Sequence, residues 1–113
     1  MSKFIKIIFL VILNFSLLLS FSTKASEKIK IGLMVPLTGA NKELGQSIIK
    51  AVRLAVKDIN NSSIEIIPKD TASKANKSLK SAFELKQLGV KVVIGPVFYK
   101  SISYLDEIKD ITF

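Results

Sequence analysis

The candidate nucleophiles of this sequence are the hydroxyl groups of Ser47, Thr71 and Ser101, because its 113 residues include no cysteine. A hydroxyl needs an adjacent general base before it can attack a substrate, and histidine, the commonest such base, is also absent from the sequence. Catalysis is therefore poorly supported, and we predict that the protein is not an enzyme. The chemistry that remains is ligand binding.

The glycines and acidic residues of the chain do not form a phosphate or metal motif. Gly39 and Gly45 are separated by five residues with no lysine after the second glycine, whereas a phosphate-binding P-loop needs four residues and then lysine. The acidic cluster at residues 106–110 contains a lysine and no histidine, which indicates a solvated face. Asp70 is interpreted as a turn and cap residue. We therefore predict no cofactor and no metal.

Apolar runs and helical patterns alternate along residues 29–113. The predicted strands cover residues 29–35, 64–67 and 90–94, with residues 111–113 as the opening of a fourth, and the predicted helices cover residues 44–59, 75–88 and 101–109. Such alternation implies a parallel sheet with right-handed crossovers. We predict an α/β fold with three layers, αβα, and a parallel sheet in the strand order 2-1-3.

In this architecture a crevice opens at the carboxyl ends of strands one and three, where the winding direction reverses. The loops at that edge are residues 37–44 and 96–101. Helix amino termini also point into the crevice, and their free N–H groups favour anionic atoms such as those of a carboxylate. The two loops are therefore the predicted binding site, the alternative being that they are simple connections.

Residues 1–25 have the three parts of a secretory signal, with Lys3 and Lys6 before an apolar block at residues 7–19 and a polar end. Small residues at Thr23 and Ala25 predict cleavage before Ser26. The alternative is an uncleaved membrane anchor, but a membrane span needs about 20 apolar residues and this block is shorter. A lipid-modified cysteine is excluded, because the sequence contains none.

The formal net charge of +8 comes largely from lysines. A basic stripe on the first predicted helix, at Lys50, Arg53 and Lys57, could bind an anionic surface, but such stripes are more often solvated helix faces. We predict no nucleic-acid partner.

Several segments occur in an order and spacing that resemble the start of type I periplasmic binding proteins, and more narrowly the leucine/isoleucine/valine-binding family of ABC-transporter receptors. They are Lys-Ile-Gly-Leu-Met-Val-Pro-Leu-Thr-Gly at residues 30–39, Lys-Asp-Thr at 69–71 and Val-Val-Ile-Gly-Pro at 92–96. The resemblance implies two lobes that clamp a ligand between them. Residues 26–113 would then be the N-terminal part of the first lobe, in a truncated chain.

The family binds its ligands through the loops after strands one and three. Carried over to this sequence, the resemblance implies a ligand site at Thr38, Gly39, Ala40, Leu44, Phe98, Tyr99, Lys100 and Ser101. The chain departs from amino-acid binders at Leu44, where they often carry an aromatic residue, and at Tyr99 and Lys100, where they carry small hydroxyl residues.

Two functions follow from this resemblance. The first is a secreted, periplasmic solute-binding protein that captures a small, polar, amino-acid-like ligand or carboxylate and presents it to the membrane subunits of an ABC transporter. The second is a periplasmic penicillin-binding-protein activator, which uses the same fold to dock onto a cell-wall synthase. Three segments resemble that sister group even more closely; they are Pro-Leu-Thr-Gly at residues 36–39, Pro-Lys-Asp-Thr at 68–71 and Ile-Gly-Pro-Val-Phe at 94–98.

Overall fold

A computed structural model describes residues 2–8 and 27–113. Residues 2–8 form a helix. Most of the predicted leader and its cleavage site before Ser26 lie outside the described residues. Within the two described ranges, every helix is either too short or too polar to cross a membrane.

Three strands form one parallel sheet: β1 (Ile29–Val35), β2 (Ile64–Asp70) and β3 (Val92–Ile94). The strand order is β2-β1-β3, as predicted. Ile31 of β1 is paired with Ile66 on one side and with Val92 on the other. All three strands therefore end at the same edge of the sheet.

The predicted end of the second strand at Pro68 is wrong, because β2 continues to Asp70. The backbone N–H of Thr71 donates to the Val35 carbonyl at 3.0 Å, so odd-numbered residues of this segment direct their N–H groups toward β1. The nitrogen of Pro68 then points away from β1, where a missing donor costs no ladder hydrogen bond. β3 begins at Val92, two residues later than predicted, because Val90 instead donates its N–H to the Leu85 carbonyl.

Two α-helices flank the sheet: α1 (Lys42–Ile59) and α2 (Ala75–Gln87). Met34 of β1 packs with Ala82 and Leu85 of α2 in the main hydrophobic core. Because side chains alternate along a strand, Leu33 and Val35 face the other layer, where α1 contacts β1 and β2. The predicted αβα layering is therefore present.

The third predicted helix, residues 101–109, is wrong. The segment contains a 3₁₀ helix, Tyr99–Tyr104, followed by turns. Leu105 donates its N–H to the Ile102 carbonyl at 2.8 Å and Ile108 donates to the Leu105 carbonyl at 2.9 Å. Each hydrogen bond therefore joins residues three apart, as in a 3₁₀ helix, rather than four apart, as in an α-helix. Leu105 and Ile108 are buried in the core as predicted, whereas Ile102 is exposed.

The chain returns to the sheet after these turns. Thr112 forms a parallel bridge with Val92, and its N–H donates to the Lys91 carbonyl at 2.9 Å. This contact lies on the free side of β3, where the predicted fourth strand would pair.

Candidate functional site

The segments that follow the three strands border an open cavity of about 520 Å³ at the carboxyl edge of the sheet. Its walls are contributed by the segments after β1, β2 and β3 and by the 3₁₀ helix. The lining residues are Asn41, Ser73, Ala75, Phe98, Tyr99, Lys100, Ser101 and Tyr104. The predicted meeting of the loops after β1 and β3 at one edge therefore exists in the structure.

Four of the eight predicted site residues line the cavity. Phe98, Tyr99, Lys100 and Ser101 all line it, and Ser101 is 2% exposed, so this serine lies at the inner wall. The other predicted residues lie in the loop after β1 or at the start of α1 and are not among the lining residues; they are Thr38, Gly39, Ala40 and Leu44. Asn41 is the lining residue that this loop contributes.

Four lining residues were missed by the sequence analysis. Asn41 lies inside a loop that was predicted to bind, and Ser73 and Ala75 follow β2. The parallel order provides a signal for Ser73, because the end of β2 must lie at the same edge as the ends of β1 and β3. Nothing in the sequence indicated that Tyr104 would line the cavity, because its position depends on the 3₁₀ helix, which was not predicted.

Thr38 forms hydrogen bonds to Asp70 and does not line the cavity. Its hydroxyl donates to one oxygen of the Asp70 carboxylate at 2.6 Å. The other oxygen of Asp70 accepts hydrogen bonds from the backbone N–H groups of Leu37, Thr38 and Ala72 at 2.8, 3.2 and 2.8 Å. Asp70 thus fixes the loop after β1 to the end of β2, a role beyond the turn that the sequence predicts.

The electrostatics of Asp70 reflect this set of donors. Partial burial raises the pKa of its carboxyl group, but the hydrogen bonds from Thr38, Leu37 and Ala72 outweigh that effect and lower the pKa to about 2. Lys77 adds a cation 3.7 Å from the carboxylate. The carboxylate is therefore ionised across the physiological range, with both oxygens occupied by donors.

The segment after β2 has an unusual backbone. Ala72 and Ser73 have φ angles of +45° and +59°, in the left-handed region that residues other than glycine rarely adopt. Asn41 donates from its side-chain amide to the Ser73 hydroxyl at 3.0 Å, which links the segments after β1 and β2 across the cavity wall. Strained backbone of this kind is concentrated at ligand-binding segments.

The cavity wall thus combines a lysine, amide and hydroxyl groups, and three aromatic rings. It offers hydrogen-bond donors and ring surfaces, and neither histidine nor cysteine exists in the chain to activate Ser101. Binding of a small molecule is the chemistry that this arrangement supports.

A family model described as periplasmic binding protein matches residues 28–110, which include the whole sheet and the cavity. The chain belongs to the periplasmic binding protein family. Members of this family bind solutes and are not enzymes. No curated protein matches the chain at a significant level.

Solved structures agree with this assignment. A solute-binding protein of an ABC transporter from Rhodopseudomonas palustris BisB5, in complex with 3,4-dihydroxybenzoic acid, is 32% identical over 59% of this chain and 20% of that chain, with a TM-score of 0.55. The branched-chain amino acid transporter substrate-binding protein LivJ from Streptococcus pneumoniae, in complex with isoleucine, is 27% identical over 68% of this chain and 24% of that chain, with a TM-score of 0.61.

A third similar structure is LpoA from Haemophilus influenzae, which is 25% identical over 74% of this chain and 15% of that chain, with a TM-score of 0.57. The chain therefore spans less than a quarter of the length of each of these three proteins.

Proposed function

We propose that the chain forms part of the first lobe of a secreted solute-binding protein, which captures a small polar ligand, such as an amino acid or a carboxylate, for an ABC transporter. The observation that carries this proposal is the cavity at the carboxyl edge of the sheet, where the segments after three parallel strands meet. The ligands of two similar structures, isoleucine and 3,4-dihydroxybenzoic acid, support a ligand of this size. The partners would be the membrane subunits of the transporter, and no catalytic step is involved.

The proposed location is the periplasm, reached through a leader of residues 1–25 that is cleaved before Ser26. Membership of the periplasmic binding protein family supports this location. Mass spectrometry of the secreted protein should find Ser26 as the first residue. A chain that keeps Met1 in the membrane fraction would contradict the cleavage.

A thermal-shift screen of the full-length, two-lobed protein against amino acids and small carboxylates tests the ligand-binding function. A ligand that binds the folded state alone raises its melting temperature by mass action. Tyr99→Ala should weaken the shift, because this residue lines the cavity, whereas Ile102→Ala should leave it unchanged, because Ile102 is exposed on the same 3₁₀ helix and is not a lining residue. No stabilisation by any compound of the screen would reject the proposal.

The second candidate function is that of a periplasmic activator of cell-wall synthesis. The similarity to LpoA, which covers a larger share of this chain than the solute-binding neighbours described above, favours it. In this case the partner would be a cell-wall synthase rather than transporter subunits. Affinity capture of the full chain should recover a penicillin-binding protein, and recovery of transporter subunits alone would reject this candidate.

A further inference from the structure

A second open cavity lies along one side of α1, apart from the proposed ligand site. Its volume is about 380 Å³, and it is lined by Leu37, Gln46, Ile49, Lys50 and Arg53. The four helix residues are spaced three or four apart, so they share one side of α1, and Leu37 belongs to the loop after β1. The described lining residues of the two cavities are different. We call this second surface the α1 groove.

The α1 groove combines two cations with two apolar side chains. Lys50 and Arg53 are exposed, whereas Leu37 and Ile49 are half-buried, so the apolar groups lie deeper than the charges. Arg53 is the single arginine of the sequence, and a guanidinium can donate two parallel hydrogen bonds to one carboxylate. The groove therefore presents donors for an anion at its rim and apolar contact surface below them.

The position of α1 separates the groove from the side on which the sheet grows. α1 contacts β1 and β2. The nitrogen of Pro68 carries no hydrogen and points away from β1, so the outer side of β2 is unsuited to pairing with a further strand. Thr112 instead returns to the free side of β3. Further strands would therefore add beyond β3, which leaves the α1 groove on the surface.

The relative depth of charge and apolar surface favours a protein partner over a membrane. In a bilayer the acyl chains lie behind the anionic headgroups, so a membrane held at the cations would bring no apolar group past them. A protein segment can carry a carboxylate and an apolar side chain on neighbouring residues, and the apolar one can reach Leu37 and Ile49. The next turn of α1 continues this mixture, because Leu54 is 60% exposed and Lys57 is also exposed.

We propose that the α1 groove docks an acidic segment of a partner protein, in which an aspartate or glutamate lies beside an apolar residue. The carboxylate pairs with Arg53 and Lys50, and the apolar side chain packs against Ile49 and Leu37. This interaction goes beyond ligand capture and does not depend on the ligand, so its failure would leave the solute-binding function untouched.

Short synthetic peptides are matched probes for isothermal titration calorimetry with the full-length, two-lobed protein. The first peptide has adjacent glutamate and leucine residues in a glycine–serine background. The second has serine in place of leucine, and the third has lysine in place of glutamate. The first should bind at least about tenfold more tightly than either of the others, because it alone supplies both the charge and the apolar group.

Charge reversal connects this binding to the α1 groove. Arg53→Glu and Lys50→Glu should each weaken binding of the first peptide about tenfold, because each removes an attraction and adds a repulsion. Lys91→Glu is the matched control, since it makes the same change in net charge at an exposed lysine outside the groove. At about 0.15 M salt this variant should bind within about twofold of the wild type. All three replaced side chains are exposed, so the urea midpoints should stay close to that of the wild type.

Each contrary result overturns the proposal in a different way. Equal affinity for the first and second peptides would show that the apolar residues of the groove take no part. Equal weakening by Lys91→Glu and Arg53→Glu would reduce the effect to net charge. Binding to phosphatidylglycerol vesicles that requires Arg53, without binding of the first peptide, would assign the groove to a membrane. Absence of binding to peptides and vesicles alike would show that the groove receives no acidic partner segment.

Discussion

The hydroxyl of Thr38 donates a 2.6 Å hydrogen bond to the carboxylate of Asp70, and this contact joins the loop after β1 to the end of β2. The two residues are 32 positions apart in the sequence but adjacent at the carboxyl edge of the sheet. Asn41 and Ser73, each three residues further along, are joined by a second hydrogen bond of 3.0 Å, so two contacts hold the segments that carry these lining residues together. The shape of the proposed binding site therefore depends on a carboxylate that does not line it.

Replacement of Asp70 by alanine should destabilise the fold. The variant leaves the backbone N–H groups of Leu37, Thr38 and Ala72, and the Thr38 hydroxyl, without their acceptor, so we expect a loss of about 2–3 kcal/mol in the free energy of unfolding. Urea denaturation at pH 7 measures this loss. Asp106→Ala, at an exposed acid of the final turns, is the control and should change the stability by less than about 0.5 kcal/mol. Equal effects of the two variants would show that the Asp70 contacts contribute little.

Acid should remove the stabilisation that Asp70 provides. Its pKa in the folded state is about 2, below the value of about 4 expected for an unfolded aspartate. A lowered pKa means that the carboxylate stabilises the fold fully above about pH 4, and that roughly 2 kcal/mol is lost as the pH falls through about 2. Other acids also titrate in this range, and the pKa of Glu84 is lowered by its hydrogen bond from Lys69.

A comparison with Asp70→Asn isolates the contribution of this one group. The stability difference between the wild type and Asp70→Asn should be largest above pH 4 and should shrink toward pH 2, as measured by urea midpoints across the range. Thr38→Val should raise the pKa of Asp70, because it removes the hydroxyl donor, and should shift the loss to higher pH. A difference that stays constant with pH would contradict the assigned ionisation.

The sheet was predictable from the sequence because its signal is local. The apolar run of β1 and the glycine after α2 indicate those boundaries, and the alternation of strands and helices indicates that the strands are parallel. The prediction is wrong in segments whose conformation depends on tertiary contacts. The edge position of β2 tolerates Pro68, and the return of Thr112 to Val92 follows turns rather than the predicted third helix.

The candidate site was predictable in position and only partly in composition. The topology identifies the edge, and Phe98–Ser101 follow directly after β3, so their contribution is implied by the strand order. Whether Thr38 or Asn41 faces the cavity depends on the hydrogen bonds that orient the loop, and those bonds end on Asp70 and Ser73, more than 30 residues away. A sequence pattern carries no information about contacts of that range.

Glycine at position 72 should stabilise the protein. Ala72 has a φ angle of +45°, where an L-residue with a Cβ atom costs about 1–2 kcal/mol and glycine costs little. The greater flexibility of glycine in the unfolded chain cancels part of this gain, so Ala72→Gly should raise the free energy of unfolding by about 0.5–1 kcal/mol. Ala51→Gly, on the exposed face of α1, is a control of opposite sign and should lose about 1 kcal/mol. Loss of stability in both variants would contradict the strain assigned to Ala72.

Alanine at position 45 should disrupt the contact between α1 and the end of β1. Gly45 is the buried residue of this helix, and a Cβ atom there would lie 1.8 Å from the Pro36 carbonyl oxygen and 2.7 Å from its carbon. Backbone atoms cannot rotate away as a side chain can, so the helix must move from the sheet, and we expect Gly45→Ala to cost about 3 kcal/mol or more. Because the loop that carries Asn41 ends at this helix, ligand affinity should fall as well. Ser47→Ala, two residues along the same helix and exposed, should keep both stability and affinity close to the wild type. A Gly45→Ala protein with a wild-type urea midpoint would show that α1 approaches Pro36 less closely than this packing requires.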